Sequence, residues 1–163
     1  MSIIKKVLDI YSEVLWTISA LCFFSIFLVN LANVFARQFL GFSVLWALDF
    51  SMLLISWSIY LGMATAVYRG DHIAVTFLVD RFPWHIQKSL FILMRVALLV
   101  ICIILFREGI IVATHRMGVL FTILRWPTGY AFAALPVFAA SSFVFLFYNM
   151  IQAIRELITP PAE

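Results

Sequence analysis

The chain reads as an all-α, polytopic membrane protein with four transmembrane helices plus short interfacial helices, and three observations predict this. Four long apolar stretches, approximately residues 14–35, 45–68, 90–106 and 131–151, fill most of the 163 residues. Hydrophobic residues make up 65% of the chain and Asp, Glu, Lys and Arg only 12%. Soluble domains carry roughly 45–50% and about 25%, so too few polar side chains are present to cover a water-exposed surface. Nearly every charge lies between the stretches or at the chain ends. A run of about 18 or more apolar residues suffices to cross roughly 30 Å of hydrocarbon. Every backbone polar group in lipid needs an internal partner, which leaves helices or a closed barrel. The runs are continuous rather than alternating, so helices are expected and residues 1–163 form a single integral membrane domain.

Span one follows Lys5, Lys6, Asp9 and Glu13, which form a charged entry. Its apolar run is longer than the 7 to 15 residues usual in a signal peptide, and removing it would leave an odd number of spans, so an uncleaved anchor is expected. Asn30, Asn33 and Arg37 recur one turn apart and share a face. The Asn pair is expected to act as interhelical glue. Residues 38–43 are too apolar for a free loop and too short to span, which suits a segment in the headgroup plane, with Trp46 at the same interface. Asp49 opens span two, where the helix dipole favours a carboxylate and where Arg37 is near enough to be expected as its partner.

In the connection 69–83, an apolar stretch lies between charged ends. It predicts an interfacial helix of about two turns, capped by Asp71 and ended before Pro83, with a re-entrant hairpin as the alternative. No Pro interrupts residues 84–114, so span three is expected to be a helix of about 30 residues and roughly 45 Å, which must tilt or project. Arg95 snorkels to the headgroups if that helix starts near Leu90, the favoured reading, and needs a buried partner if it starts at Trp84. Pro127 and Thr128 open span four, and Pro136 is expected to kink it.

Lys5, Lys6, Arg69, Arg81, Lys88 and Arg155 lie on one side of this arrangement and Arg37, Arg107, Arg116 and Arg125 on the other. The excess of basic residues predicts both termini in the cytoplasm. The net charge of +3 is scattered, with no basic run for nucleic acid. Cys22 and Cys102 fall inside spans, where a thiol is a small hydrophobe rather than part of a disulfide framework or metal site. His72, His85 and His115 lie in connecting regions, and no Cys cluster or phosphate-cradling Gly loop occurs, so no catalytic, cofactor or metal site is expected and the chain is not an enzyme.

The chain carries in order Asn33-Val34-Phe35-Ala36-Arg37, Trp46 with Asp49, Tyr60-Leu61-Gly62-Met63-Ala64, Tyr68-Arg69-Gly70-Asp71-His72-Ile73-Ala74-Val75, Leu78-Val79-Asp80-Arg81-Phe82-Pro83, Pro127-Thr128-Gly129-Tyr130 and Ala134-Leu135-Pro136-Val137, within a likeness that runs from about residue 10 to 155. It resembles the small membrane subunit of tripartite ATP-independent periplasmic (TRAP) transporters, the DctQ family. That family commonly shows Trp followed by a pair of acids, whereas Trp46-Ala47-Leu48-Asp49 supplies one. The resemblance implies a bacterial inner-membrane scaffold for a large sodium-coupled transport subunit, with a periplasmic substrate-binding protein as second partner. It also implies organic acids, such as C4-dicarboxylates or sialic acids, as cargo.

Contacts to the large subunit are expected at both ends of span two, from Arg37, Trp46 and Asp49 outside and Arg69, Asp71, His72, Asp80 and Arg81 inside, because apolar spans gain little specificity in lipid. Arg116 and Arg125 are candidates for docking the binding protein. Two alternatives remain: a self-sufficient small four-helix exporter, which needs Glu13 or Glu108 as coupling carboxylate, and a membrane anchor subunit of a redox complex, which needs haem or quinone ligands.

Overall fold

The computed structural model of the chain describes residues 3–69 and 84–158, the side chains of 84–92 and 153–158 excepted. Helix α1 (Ile3–Phe35) continues into a π-helical turn (Ala36–Leu40). Then come α2 (Trp46–Arg69), α3 (Trp84–His115) with a 3-10 turn (Arg116–Gly118), the short α4 (Gly129–Phe132) and α5 (Ala134–Ile158). Four segments are long and apolar enough to cross a membrane: Ile3–Leu40, Trp46–Arg69, Leu93–Gly118 and Gly129–Gln152. The protein is therefore an all-α, multi-pass membrane protein.

Span one is longer at both ends than its apolar run. Of residues 38–43, expected in the headgroup plane, 38–40 stay helical as part of the π-helical turn, with Phe35 and Phe39 rings stacked at 5.7 Å. The helix stops at Gly41, whose φ of 72° is a left-handed conformation that glycine adopts without a Cβ clash. Asn33 Oδ1 accepts the Val44 N–H at 2.9 Å and fixes the short return to α2. The expected interfacial helix over 69–83 lies outside the described residues beyond Arg69.

Span three is unbroken from Trp84, as the absence of Pro requires. Arg95 accordingly reaches across to α5, where its Nη1 donates to the Asn149 carbonyl at 3.0 Å. The helix starts at Trp84, but the apolar span starts only at Leu93, so the half-buried Arg95 sits at the span's edge with one protein carbonyl as partner. Pro136 disturbs span four as expected: with no N–H to offer Phe132, it follows a single turn residue, Ala133, which keeps helical dihedrals, so α4 and α5 remain one span over Gly129–Gln152. Gly109 of α3 packs against this point, and a Cβ there would sit 2.9 Å from Pro136 Cδ.

Helices contact in the order α1, α2, α5, α3. Successive spans alternate in direction, so α2 and α5 run the same way through the middle and α1 and α3 flank them antiparallel. Leu8 and Leu15 of α1, Leu61 and Ala64 of α2, and Phe138 and Phe145 of α5 make the core. Phe145 is fully buried between Tyr11 (5.6 Å) and Tyr68 (4.7 Å). Several polar groups within the spans join helices, Asn30 of the expected Asn pair among them, whereas Asn33 bonds the α1–α2 connection and the buried Ser142 hydroxyl has no partner among the described residues. Asn30 Nδ2 donates to Ser51 Oγ at 3.0 Å, and the Tyr11 and Ser141 hydroxyls lie 2.8 Å apart. Apolar side chains such as Phe23, Phe24 and Phe27 point outward, as a lipid solvent allows.

The two ends of the bundle as candidate functional sites

The end away from the chain termini carries a hairpin between α3 and α4. Phe121 N–H donates to the Trp126 carbonyl and Thr128 N–H to the Val119 carbonyl, both at 2.8 Å, around an antiparallel bridge between Leu120 and Pro127. Arg125 N–H closes the turn on the Phe121 carbonyl at 3.2 Å, with Arg125 at φ 55°, an uncommon conformation for a side chain bearing a Cβ. Closing the turn this way leaves the N–H groups of Ile123 and Leu124 without a carbonyl partner. Both donate to Asp49 Oδ2, at 2.7 and 3.0 Å. Asp49 is 6% exposed, so its charge is held by charge-assisted bonds from another segment's backbone.

The expected Asp49 to Arg37 pair is therefore not formed. Arg37 stays exposed on the π-helical turn, and the described residues contain a single ion pair within 4.0 Å, elsewhere. Two preorganised backbone donors outcompete a flexible guanidinium, which would lose side-chain entropy on binding.

The Pro127-Thr128-Gly129-Tyr130 run has a packing explanation. The Thr128 hydroxyl lies 3.1 Å from the Arg116 carbonyl and 3.0 Å from that of Val119, and so ties the end of α3 to the start of α4. Gly129 lies so close to α3 that a Cβ would come within 2.6 Å of the Ala113 carbonyl oxygen. The Tyr130 carbonyl accepts the Trp57 indole N–H at 3.1 Å, joining α4 to α2. Between hairpin and α2 runs a groove of about 470 Å³ lined by Asp49, Met52, Arg116, Phe121, Thr128 and Phe132, among others. Arg116 stacks over the Phe132 ring at 5.4 Å. Arg116 and Arg125 are both exposed at this end, beside the exposed Leu120, Ile123 and Trp126. Trp46 opens α2 on the same side, 46% exposed and edge-on to Phe50 at 6.0 Å.

At the terminal end, Arg69 Nη2 meets Glu13 Oε1 at 3.1 Å and its guanidinium lies 4.9 Å from the Trp16 ring centre. Tyr68 donates its hydroxyl proton to Asp9 Oδ1 one position earlier. Both contacts join α1 to α2. Asp71, His72, Asp80 and Arg81 lie outside the described residues. Sequence reasoning missed the α1–α2 contacts Asp9 to Tyr68 and Ser19 to Ser58 and the α2–α4 contact Trp57 to Tyr130. A usable signal existed for one: Ser12, Ser19, Ser58, Gly62 and Thr65 set small residues at helical spacing in two adjacent spans, the mark of close packing in lipid.

A search of the curated proteins returns no match. A family model, described as the DctQ component of tripartite ATP-independent periplasmic transporters, matches residues 26–156. The match takes in most of the chain, from the middle of α1 through the hairpin nearly to the end of α5. The family is a transporter component rather than an enzyme family. On this match, and on the four spans that the fold provides, the chain belongs to the DctQ family, the small membrane component of TRAP transporters.

Proposed function

We propose that this chain is the fixed scaffold of a sodium-coupled TRAP transporter in the bacterial inner membrane, holding the large transport subunit in place while a periplasmic binding protein delivers an organic acid. The observation that carries the scaffold role is the use of the intramembrane polar groups. Asp49 is spent on the hairpin, Asn30 and Asn33 on the α1–α2 connection, and Arg95 on α5. Transport sites in membranes are built instead from polar groups and broken helices facing a cavity. Of the two carboxylates an exporter could use, Glu13 pairs with Arg69, while Glu108 is exposed on α3; the exporter reading therefore rests on Glu108 alone. The cation and the class of cargo rest on the motif resemblance alone.

With both termini cytoplasmic, the hairpin end faces the periplasm, where Arg116 and Arg125 suit docking of a binding protein through carboxylate contacts and steering. Among the described residues, Arg37, Trp46 and Arg69 are candidate contacts to the large subunit, and Asp71, His72, Asp80 and Arg81 remain candidates from the sequence.

Reconstitution tests the reading. Vesicles holding this chain alone should accumulate no organic acid on a sodium gradient, and addition of large subunit and binding protein should restore uptake. Solute movement by the chain alone on a sodium or proton gradient would refute the scaffold role. Charge reversal at Arg116 and Arg125 should lower uptake at limiting binding protein and recover as its concentration rises.

A further inference from the structure

We infer that Asp49 is a positioning residue for partner docking: its carboxylate holds the 122–125 turn so that Arg125 and Arg116 are presented as one preformed surface. The inference rests on the proposed docking role of those two arginines.

The argument begins with the turn itself. A turn closed by the Arg125 N–H to Phe121 carbonyl bond, with Arg125 at φ 55°, is strained and leaves two consecutive N–H groups pointing out of the hairpin. Strained backbone persists only where its surroundings over-determine it. Here the surroundings are one carboxylate oxygen, Asp49 Oδ2, that accepts both N–H groups from a buried position in the first turn of α2. That helix is anchored to α1 and α5, so the hairpin is tied to the rigid middle of the bundle. The arginines bracket the clamped segment. Arg125 follows Leu124 directly, and Arg116 is tied to the hairpin's other strand because its carbonyl accepts bonds from Val119 N–H and the Thr128 hydroxyl. A surface ordered in advance loses less entropy on docking than a mobile one, so the clamp acts on affinity for the partner and not on the transport step.

The test uses the complete transporter with Asp49→Ala, Asp49→Asn and, as reference, Arg125→Glu. Amide exchange of Ile123 and Leu124 should speed up about tenfold or more in Asp49→Ala, the scale set by losing hydrogen bonds to a charged group. Asp49→Asn keeps an oxygen acceptor and should retain much of the protection. The binding-protein concentration giving half-maximal uptake should rise several-fold in Asp49→Ala, with the rate at saturating binding protein retained. A merely structural role would instead lower the saturating rate and the yield of assembled complex together. Unchanged amide exchange in Asp49→Ala overturns the inference. So does an unchanged half-saturation in Asp49→Ala alongside a rise in Arg125→Glu, which leaves the docking reading standing. No change in any of the three variants overturns the docking reading, and the inference with it.

Discussion

Ser19 of α1 and Ser58 of α2 exchange hydrogen bonds across the helix interface: Ser19 Oγ donates to the Ser58 carbonyl at 2.7 Å and Ser58 Oγ donates back to the Ser19 carbonyl at 3.1 Å. Both residues are buried, and Gly62 one turn on comes so close that a Cβ would lie 3.1 Å from Ser19 Oγ. Interhelical hydrogen bonds in membranes average about 0.6 kcal/mol. Ser19→Ala and Ser58→Ala should therefore each destabilise by about that amount. Gly62→Leu should cost about 1–3 kcal/mol, because the side chain must force the helices apart. Unfolding in mixed detergent micelles measures the order. A Gly62→Leu protein as stable as the two alanine variants would mean that close approach does not hold α1 to α2.

Gly129 and Gly118 make a matched pair for the packing of the hairpin end. An added Cβ at Gly129 meets the Ala113 carbonyl oxygen at 2.6 Å and Met117 Sδ at 2.8 Å, whereas at Gly118 it meets nothing within 4 Å. Gly129→Ala should cost about 1–3 kcal/mol and lower the melting temperature by about 2–10 °C, because backbone must move. Gly118→Ala should stay within about 0.5 kcal/mol of the parent. Thermal unfolding of the two variants in one detergent decides it, and equal midpoints would argue against the tight α3–α4 contact.

The spans were legible from sequence because lipid imposes a single demand, a long apolar helix, and the unbroken α3 followed from the absence of Pro before Thr114. Partner choice was less legible. Asp49 carries a readable signal for a helix N-terminus, but its partners lie 74 and 75 positions away and are backbone N–H groups, which any residue except Pro supplies. Their need for an acceptor arises from the Arg125 turn, a conformation that composition does not reveal. Arg95 illustrates the same limit, since snorkelling or pairing depends on where the helix begins. Pro136 predicted the local disturbance of span four, which appears as the single turn residue Ala133 between α4 and α5. The Pro127-Thr128-Gly129-Tyr130 run was one of several motifs carrying the family resemblance before its packing role could be seen.

Topology rests on the placement of Lys and Arg, and the fold puts residues 116–128 at the opposite end from the start of α1 and the end of α5. Reporters fused after Glu163 and within residues 71–85 should be cytoplasmic, and one within 116–126 periplasmic. The last insertion should stay inside the exposed turn, so that the Leu120 to Pro127 bridge survives. Periplasmic activity of the terminal fusion with cytoplasmic activity of the hairpin fusion would invert the molecule and remove the docking role from Arg116 and Arg125.

Arg69 separates an internal role from a partner-facing one. Its side chain is 42% exposed and that of Glu13 67%, so the ion pair is worth at most about 1 kcal/mol, with a similarly small addition from the Trp16 ring. Loss of the pair alone cannot unfold a four-span bundle. Glu13→Gln should leave insertion and co-purification of the large subunit intact. Arg69→Ala should still insert but recover several-fold less large subunit if the exposed part of the guanidinium meets the partner, where an unpaired charge at a partly buried junction costs more than a solvated one. Asp80→Ala should behave like Arg69→Ala, since both residues flank the connection after α2. Pull-down of the large subunit by the tagged small subunit, normalised to membrane content, reads all three. If Arg69→Ala and Asp80→Ala both retain normal recovery and uptake, these charges serve as topology and headgroup signals, and the interface lies on the exposed apolar faces of the helices instead.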